Sequence, residues 1–358
     1  MSNSDAKHEW EVYKTRELAL LEPLLTTLGY ELEARQPHLG GERHLTGPIG
    51  SGRKLLLFGR DRQGNRVVIK ASSEPAGIRE IEHERVCRSI LEKISFAYQT
   101  FLSPPELLYT RQSGCVVLVT AFIDQPQSFL ERPLQEQFAL ALKGLQAQES
   151  AHATTYRHRK LIRTTFGEMH AADYVAKFRT YADESKPHAA LDAAFAFLNA
   201  HAETIEQYCG FLTHWDFMPQ NIRVSGSDLY LLDHSSLHFG NKYESWARFI
   251  NFMTLYNPPL ADALVQYVRD NRTPEESLSL RLMRVYRLGE LIRYYTGWLP
   301  RTEGNLHELA LARIAFWSDV LHAVLQGTEV APTRIDEYKR RRDALRTEDE
   351  KQRQIGLH

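Results

Sequence analysis

Leucines recur at helical spacing early in the chain, at Leu18, Leu21, Leu24, Leu25 and Leu28, and Gly29 stops the run. This predicts an amphipathic helix packed on the body of the protein. Past residue 40 the pattern changes: over GGERHLTGPIGSGRKLLLFGRDRQGNRVVIKASS, short apolar and β-branched blocks alternate with glycine-rich breaks. The expectation is a strand, a glycine loop, a second strand, a turn at Gln63 to Asn65 and a third strand ending at Lys70. Helical periodicity returns in IREIEHERVCRSILEKI, with Ile81, Cys87, Ile90, Leu91 and Ile94 as the apolar stripe. LLYTRQSGCVVLVTAFID then reads as two strands joined at Ser113-Gly114, the second leading into a connector at Thr120 to Ile123.

From Leu134 to about residue 208 the chain is Ala-, Leu- and Gln-rich and helical, so a boundary between two lobes is expected between Asp124 and Pro133. Two short strands follow, Ile222 to Val224 and Leu229 to Leu232, turning at Gly226, and then a helix with Trp246, Phe249, Ile250 and Met253 inward. The predicted class is α+β. A helical extension covers 1–39, a small antiparallel-sheet N-lobe 40–128, a mostly helical C-lobe 129–333, and a charged helix or tail 334–358.

With 358 residues, 43% hydrophobic and 25% charged, the chain is long enough for two lobes with separate cores. A net charge of -1 gives no reason to expect nucleic-acid binding or a polybasic membrane anchor. The basic run Lys339 to Arg342 is surrounded by acids and reads as a solvated helix. Three widely spaced cysteines, Cys87, Cys115 and Cys209, argue against a disulfide framework and favour a reducing compartment. The polar N-terminus lacks the apolar core of a signal peptide, and VVLVTAFI has the length of a buried strand. A cytoplasmic protein is expected.

Chemistry concentrates in HWDFMPQN, His214 to Asn221, and in LYLLDHSS around Asp233. Kinase-type phosphoryl transfer needs one Asp on a short loop to orient the acceptor hydroxyl. It also needs an Asn further along that loop, and an Asp after the next hairpin, to hold the metal ions that bridge the phosphates. Asp216, Asn221 and Asp233 stand at those intervals. Upstream, Lys70 ends an apolar strand as a phosphate-pairing lysine does, and Glu84 on the following helix is its expected partner, with Glu80 one turn earlier as the competitor. Gly47, Gly50 and Gly52 could let backbone amides approach phosphate oxygens, although an ordinary hairpin turn reads equally well.

GPIGSG, VVIK, the helix with Glu84, QESAHATT, HWDFMPQN and LYLLDHSS occur in the order found in the aminoglycoside phosphotransferase and choline kinase-like branch of the protein-kinase-like fold, which the chain resembles over roughly residues 40 to 300. The resemblance implies a two-lobed kinase-like fold and ATP- and magnesium-dependent transfer of the γ-phosphate to a hydroxyl of a small molecule, an aminoglycoside-, choline- or sugar-like acceptor. It implies Asp216 as the catalytic base, with His214 supporting its loop, and Asn221 and Asp233 as magnesium ligands. Lys70 would contact the α- and β-phosphates with Glu84 fixing it, Gly50 and Gly52 would lie over the phosphates, and the Thr120 to Phe122 connector would meet the adenine edge. Trp215 and Gln220 stand where the family usually has Gly, Pro219 matches, and His234, Ser235 and Ser236 replace the usual aromatic and acid after the metal Asp. A catalytically impaired kinase-like nucleotide-binding or scaffold protein is the alternative. A protein kinase proper is disfavoured because DFG and APE are absent. Glu244 falls near a position where the family has an acid bracing the catalytic loop. Tyr286, Glu290, Tyr294, Tyr295 and Trp298 could line an acceptor pocket or simply pack a helix.

Overall fold

A computed structural model describes residues 3–36, 53–94, 96–98, 101–154, 164–185, 188–346 and 351. Gly47, Gly50 and Gly52 lie outside the described residues. The N-terminal part is one antiparallel sheet with a helix on each face. Its strands are β1 (Glu31–Leu32), β2 (Leu55–Arg60), β3 (Arg66–Ser72), β4 (Glu106–Gln112) and β5 (Cys115–Ala121), arranged in the order β1-β2-β3-β5-β4. The turns carry the chemistry that their sequences foretold. Asp61 accepts hydrogen bonds from the Gln63 and Asn65 amides, and Ser113 and Gly114 both have positive φ, as a two-residue hairpin turn requires.

Strand alternation divides the sheet's side chains between the two helices. Leu55, Leu57, Val67, Ile69, Ala71, Val117 and Val119 face helix α1 (Asn3–Leu28) and meet its Tyr13, Leu21, Leu24 and Leu25. Val116 and Leu118 face the other way and pack on Ile78 and Ile81 of α2 (Pro75–Leu91). Lys70 lies directly opposite Leu56 on one side and Leu118 on the other, so it shares the α2 face. Leu56, Phe58 and Val68 on that same face stay only partly covered.

Two features seat α2. Gly77 lies so close to the strand that a Cβ there would sit 2.1 Å from the Arg53 carbonyl oxygen. The buried Glu17 carboxylate of α1 accepts the Ser73 amide at 2.8 Å and the Ser73 hydroxyl as well. Glu17→Ala leaves both donors without their acceptor and is expected to cost about 1–3 kcal/mol. Leu20→Ala, on the exposed side of α1, stays within about 0.5 kcal/mol; urea denaturation of the two variants measures both. The C-terminal half of α2 does something different from the first half: Cys87, Ile90 and Leu91, with Ile94 just beyond the helix, belong to the core of the helical part.

That second part contains α3 (Leu134–Thr154), α4 (Ala171–Glu184), α5 (Ala189–Ala200), α6 (Ala202–Gln207), α7 (Glu244–Tyr256), α8 (Pro258–Asn271), α9 (Pro274–Thr296), α10 (Gly304–Leu325) and α11 (Pro332–Leu345). Two hairpin-like ladders are set among them, β6 (Phe211–His214) with β9 (Leu237–Gly240), and β7 (Ile222–Ser225) with β8 (Asp228–Leu231). Helix α9 starts at a capping box, Thr273 with Glu276, and runs through the core with Gly289 against the Phe178 ring. The charged helix near the C-terminus is not wholly solvated: Ile335 and Tyr338 of α11 are buried, and Tyr338 stacks on Phe316. No helix among the described residues is long and apolar enough to cross a membrane.

Candidate active site

The motif His214 to Asn221 leaves β6 as a loop and closes in a 3-10 turn, Pro219–Asn221, with proline at the position where a missing N–H costs least. The chain continues directly into β7, turns at Gly226 with φ 59, and returns along β8. The Leu232 amide then donates to the Asn221 carbonyl at 2.8 Å, which brings Asp233 back beside the loop it left. Asp233 itself is left-handed, φ 54 and ψ 57, a conformation that costs a non-glycine residue about 1–3 kcal/mol.

His214 clasps these two segments together. Its ring is fully buried; Nδ1 accepts the Asp216 amide at 3.2 Å, which leaves the proton on Nε2 for the carbonyls of Asp233 (3.0 Å) and Leu232 (3.2 Å). Burial lowers its pKa below the usual histidine value, so the ring is neutral and serves as a strut.

Asp216 points to the opening with its carboxylate 40% exposed. Oδ2 accepts from Asn221 Nδ2 at 3.0 Å, and Oδ1 accepts from Arg248 Nη2 at 2.7 Å and Nε at 3.0 Å. Burial pushes its pKa up, but the Arg248 charge and hydrogen bonds outweigh this and the net shift is downward. Asp233 receives the Ser235 and Ser236 hydroxyls, one on each oxygen, both at 2.8 Å. Burial opposes its ionisation too, yet the Lys70 charge and the two serine hydrogen bonds hold it well below the carboxylate range.

Across the site, Lys70 Nζ donates to Glu84 Oε1 on α2, while Glu80 pairs with Lys54. Glu84 is buried, and Lys70 and Lys54 overcome the burial and keep it ionised. The Thr120 to Phe122 segment ends β5. Thr120 sits opposite Val68, and the Phe122 amide is spent on the Arg66 carbonyl at 3.2 Å, which leaves the Phe122 carbonyl as its backbone hydrogen-bonding group.

Glu244, which the sequence places near a loop-bracing position, lies beneath the loop with partners that the sequence did not reveal. Glu244, fully buried at the start of α7, accepts from Tyr174 Oη at 2.5 Å and from His238 Nε2 at 2.8 Å. Its Oε1 lies 3.5 Å from Arg287 Nη1, which also pairs with Glu290 at 2.8 Å, and Arg287 Nη2 donates to the Trp215 carbonyl. Burial works against the Glu244 charge, but His238 and Arg287 lower its pKa on balance. Trp215 is stacked on His238, 4.0 Å between centroids, so the bulky residue after His214 is absorbed by this brace. Arg287→Met removes the cation shared by two carboxylates, one of them buried, and is expected to cost about 3–5 kcal/mol in chemical denaturation. The available signal was an arginine inside the apolar run of α9, since a buried arginine demands an acid. Of the aromatics proposed for an acceptor pocket, Tyr286, Tyr295 and Trp298 are core residues, and only Tyr294 is exposed.

A cavity of about 300 Å³ lies elsewhere, between α8, α9 and the segment after α10, lined in part by Val265, Arg269, Arg281, Arg284 and Glu329. It contains none of the residues above.

The fold is that of the kinase-like aminoglycoside phosphotransferases: a small antiparallel sheet on a mostly helical body, shared by solved structures with 11–15% identity. Among these, a type I macrolide 2'-phosphotransferase is 13% identical, with 84% of this chain and 97% of that one covered at a TM-score of 0.56. An amicoumacin kinase, solved with AMP-PNP, Ca2+ and Ami, is 11% identical, with 88% and 95% covered at 0.54. A thermostable mutant of aminoglycoside phosphotransferase APH(4)-Ia, in a ternary complex with ADP and hygromycin B, is 15% identical, with 77% and 90% covered at 0.51. No family model matches the chain, and no curated protein does.

Proposed function

We propose that the protein is a phosphotransferase that moves the γ-phosphate of ATP to a hydroxyl of a small molecule. The observation that carries this reading is the single buried strut, His214, joining the Asp216 loop to the Asp233 turn opposite the Lys70–Glu84 pair. On this reading Asp216 and Asp233, joined through His214, and the Lys70–Glu84 pair supply the groups that phosphoryl transfer requires. The neighbours in fold that were solved with nucleotides and small-molecule acceptors lend support.

Lys70, oriented by Glu84, neutralises charge on the nucleotide phosphates. The partly covered face of Leu56, Phe58 and Val68 beside it offers an apolar shelf for a planar base. Asp216 orients the acceptor hydroxyl and takes its proton while the oxygen–phosphorus bond forms and the bond from the γ-phosphorus to the β-phosphate oxygen breaks. Magnesium fits the donors present. Asn221 turns its Nδ2 to the Asp216 carbonyl and carboxylate, which directs Oδ1 elsewhere, and Asp233 is an ionised carboxylate whose present partners are two rotatable hydroxyls. Among the described residues no group of three or more His, Cys, Asp or Glu could hold a metal. Two protein ligands, with phosphate and water completing the shell, are what magnesium takes in such sites. When bound there, the ion would neutralise phosphate charge.

One observation favours a second reading, a nucleotide-binding scaffold: Asp216 and Asp233 each have both oxygens already engaged within the protein. Thermal-shift titration with ATP and GTP, with and without magnesium, followed by a γ-labelled acceptor screen, separates the two. Metal-dependent stabilisation with turnover supports the enzyme, stabilisation without turnover the scaffold, and no stabilisation neither.

A further inference from the structure

The least expected contact in the site is Arg248 on Asp216. Its Nε and Nη2 both donate to the one oxygen Oδ1, at 3.0 and 2.7 Å, and Nη2 also lies 3.6 Å from Met218 Sδ. Arg248 thus fills both acceptor positions of Oδ1, while Oδ2 carries one hydrogen bond, from Asn221. Asn221 belongs to the same loop and stays. Arg248 comes from a different element, α7, and its long side chain is the part that can move.

The charges nearby indicate what would draw Arg248 away. Among the described residues at the Trp215-Asp216 step, Asp216 pairs with Arg248, Glu244 and Glu290 share Arg287, and Glu244 also meets His238. Lys177 on α4 is exposed, lies 4.8 Å from the Trp215 ring centroid, and has no ion-pair partner among the described residues. A guanidinium fork and an ammonium at the rim are the groups that recognise carboxylate or phosphate.

On the phosphotransferase reading above, we propose that the acceptor is an anionic hydroxy compound whose carboxylate or phosphate group takes Arg248 from Asp216, with Lys177 assisting at the rim. Arg248 stays paired throughout, passing from the protein carboxylate to the substrate anion. The exchange opens Asp216 Oδ1 to the hydroxyl beside Oδ2 and binds the acceptor's anion in the same step, so Arg248 determines specificity.

The test uses the full chain with γ-labelled ATP, magnesium and four acceptor panels. These are hydroxy-carboxylates (glycerate, gluconate), sugar and polyol phosphates (glucose 6-phosphate, glycerol 3-phosphate), neutral polyols (glucose, glycerol), and amino alcohols (choline, kanamycin). Stabilisation by magnesium and ATP is read on the same samples. The expected result is label transfer confined to the first two panels, with the better of the two identifying carboxylate or phosphate. Arg248→Gln should then raise the acceptor KM about 100-fold while the KM for ATP changes by no more than about threefold. Arg248→Lys should fall between Gln and the natural residue. Lys177→Gln, at an exposed position where folding is not at stake, should raise the acceptor KM by about five- to tenfold. Equal or better labelling of neutral or cationic acceptors overturns the proposal, as does an acceptor KM indifferent to Arg248→Gln. So does nucleotide binding without labelling of either anionic panel. Failure of the natural protein to bind nucleotide with magnesium overturns the phosphotransferase reading itself, and the proposal with it.

Discussion

Asp216→Asn is expected to lower kcat by about 10²–10⁴-fold, the range that a positioned general base contributes, while magnesium-dependent ATP affinity stays within about threefold. The asymmetry follows from the site. On the proposed reading Asp216 serves the acceptor hydroxyl, whereas Lys70, paired with Glu84, and Asp233 serve the nucleotide and its metal. Steady-state kinetics with nucleotide calorimetry measures both quantities, and unchanged turnover removes Asp216 from the mechanism. The pH profile provides a second check. Asp216 is held below its ordinary value by Arg248, so it is ionised throughout the neutral range. Since it gains no proton on going from about pH 8 to pH 6, its ionisation should leave kcat flat across that window. An acid limb centred in it would mean that another group carries the proton.

For Asp233→Ala the expected result is loss of metal-dependent nucleotide binding. At a nucleotide concentration of about 100 times Kd, the natural protein should gain roughly 2.7 kcal/mol of stability, and the variant should gain nothing measurable from nucleotide with metal over nucleotide alone. Ser235→Ala and Ser236→Ala make the distinguishing pair. Each removes a hydroxyl from one Asp233 oxygen and leaves the carboxylate in place, so the metal response should survive. A normal response from Asp233→Ala in a thermal-shift titration removes it from the ligand set.

Much of the fold could be read from the sequence because its signals are local. The leucine spacing of α1, the turn at Ser113-Gly114, and the β7–β8 hairpin about Gly226 each depend on residues within a few positions of one another. The spacing from His214 to Asp233 was legible for the same reason: one short hairpin connects them. What escaped was set by packing between distant segments. Glu84 was the expected partner of Lys70, but the pairing of its competitor Glu80 with Lys54 follows only from the way α2 seats on the sheet. Arg248 lies one turn beyond Glu244 in a helix that reads as core, and nothing local marks it as the partner of a residue 32 positions earlier. Tyr286, Tyr295 and Trp298 look the same in sequence whether they line a pocket or fill a core, and here they fill the core.

Helix α2 belongs to two cores at once, with Ile78 and Ile81 under the sheet and Cys87, Ile90 and Leu91 in the helical body. On the proposed reading, a sheet that closes over a nucleotide would turn about the stretch of α2 where one allegiance gives way to the other. Glu84 stands in that stretch, between Ile81 and Cys87. A charge at a pivot has almost no lever arm, so the Lys70–Glu84 contact can persist through opening and closing while the sheet's outer strands sweep the larger arc.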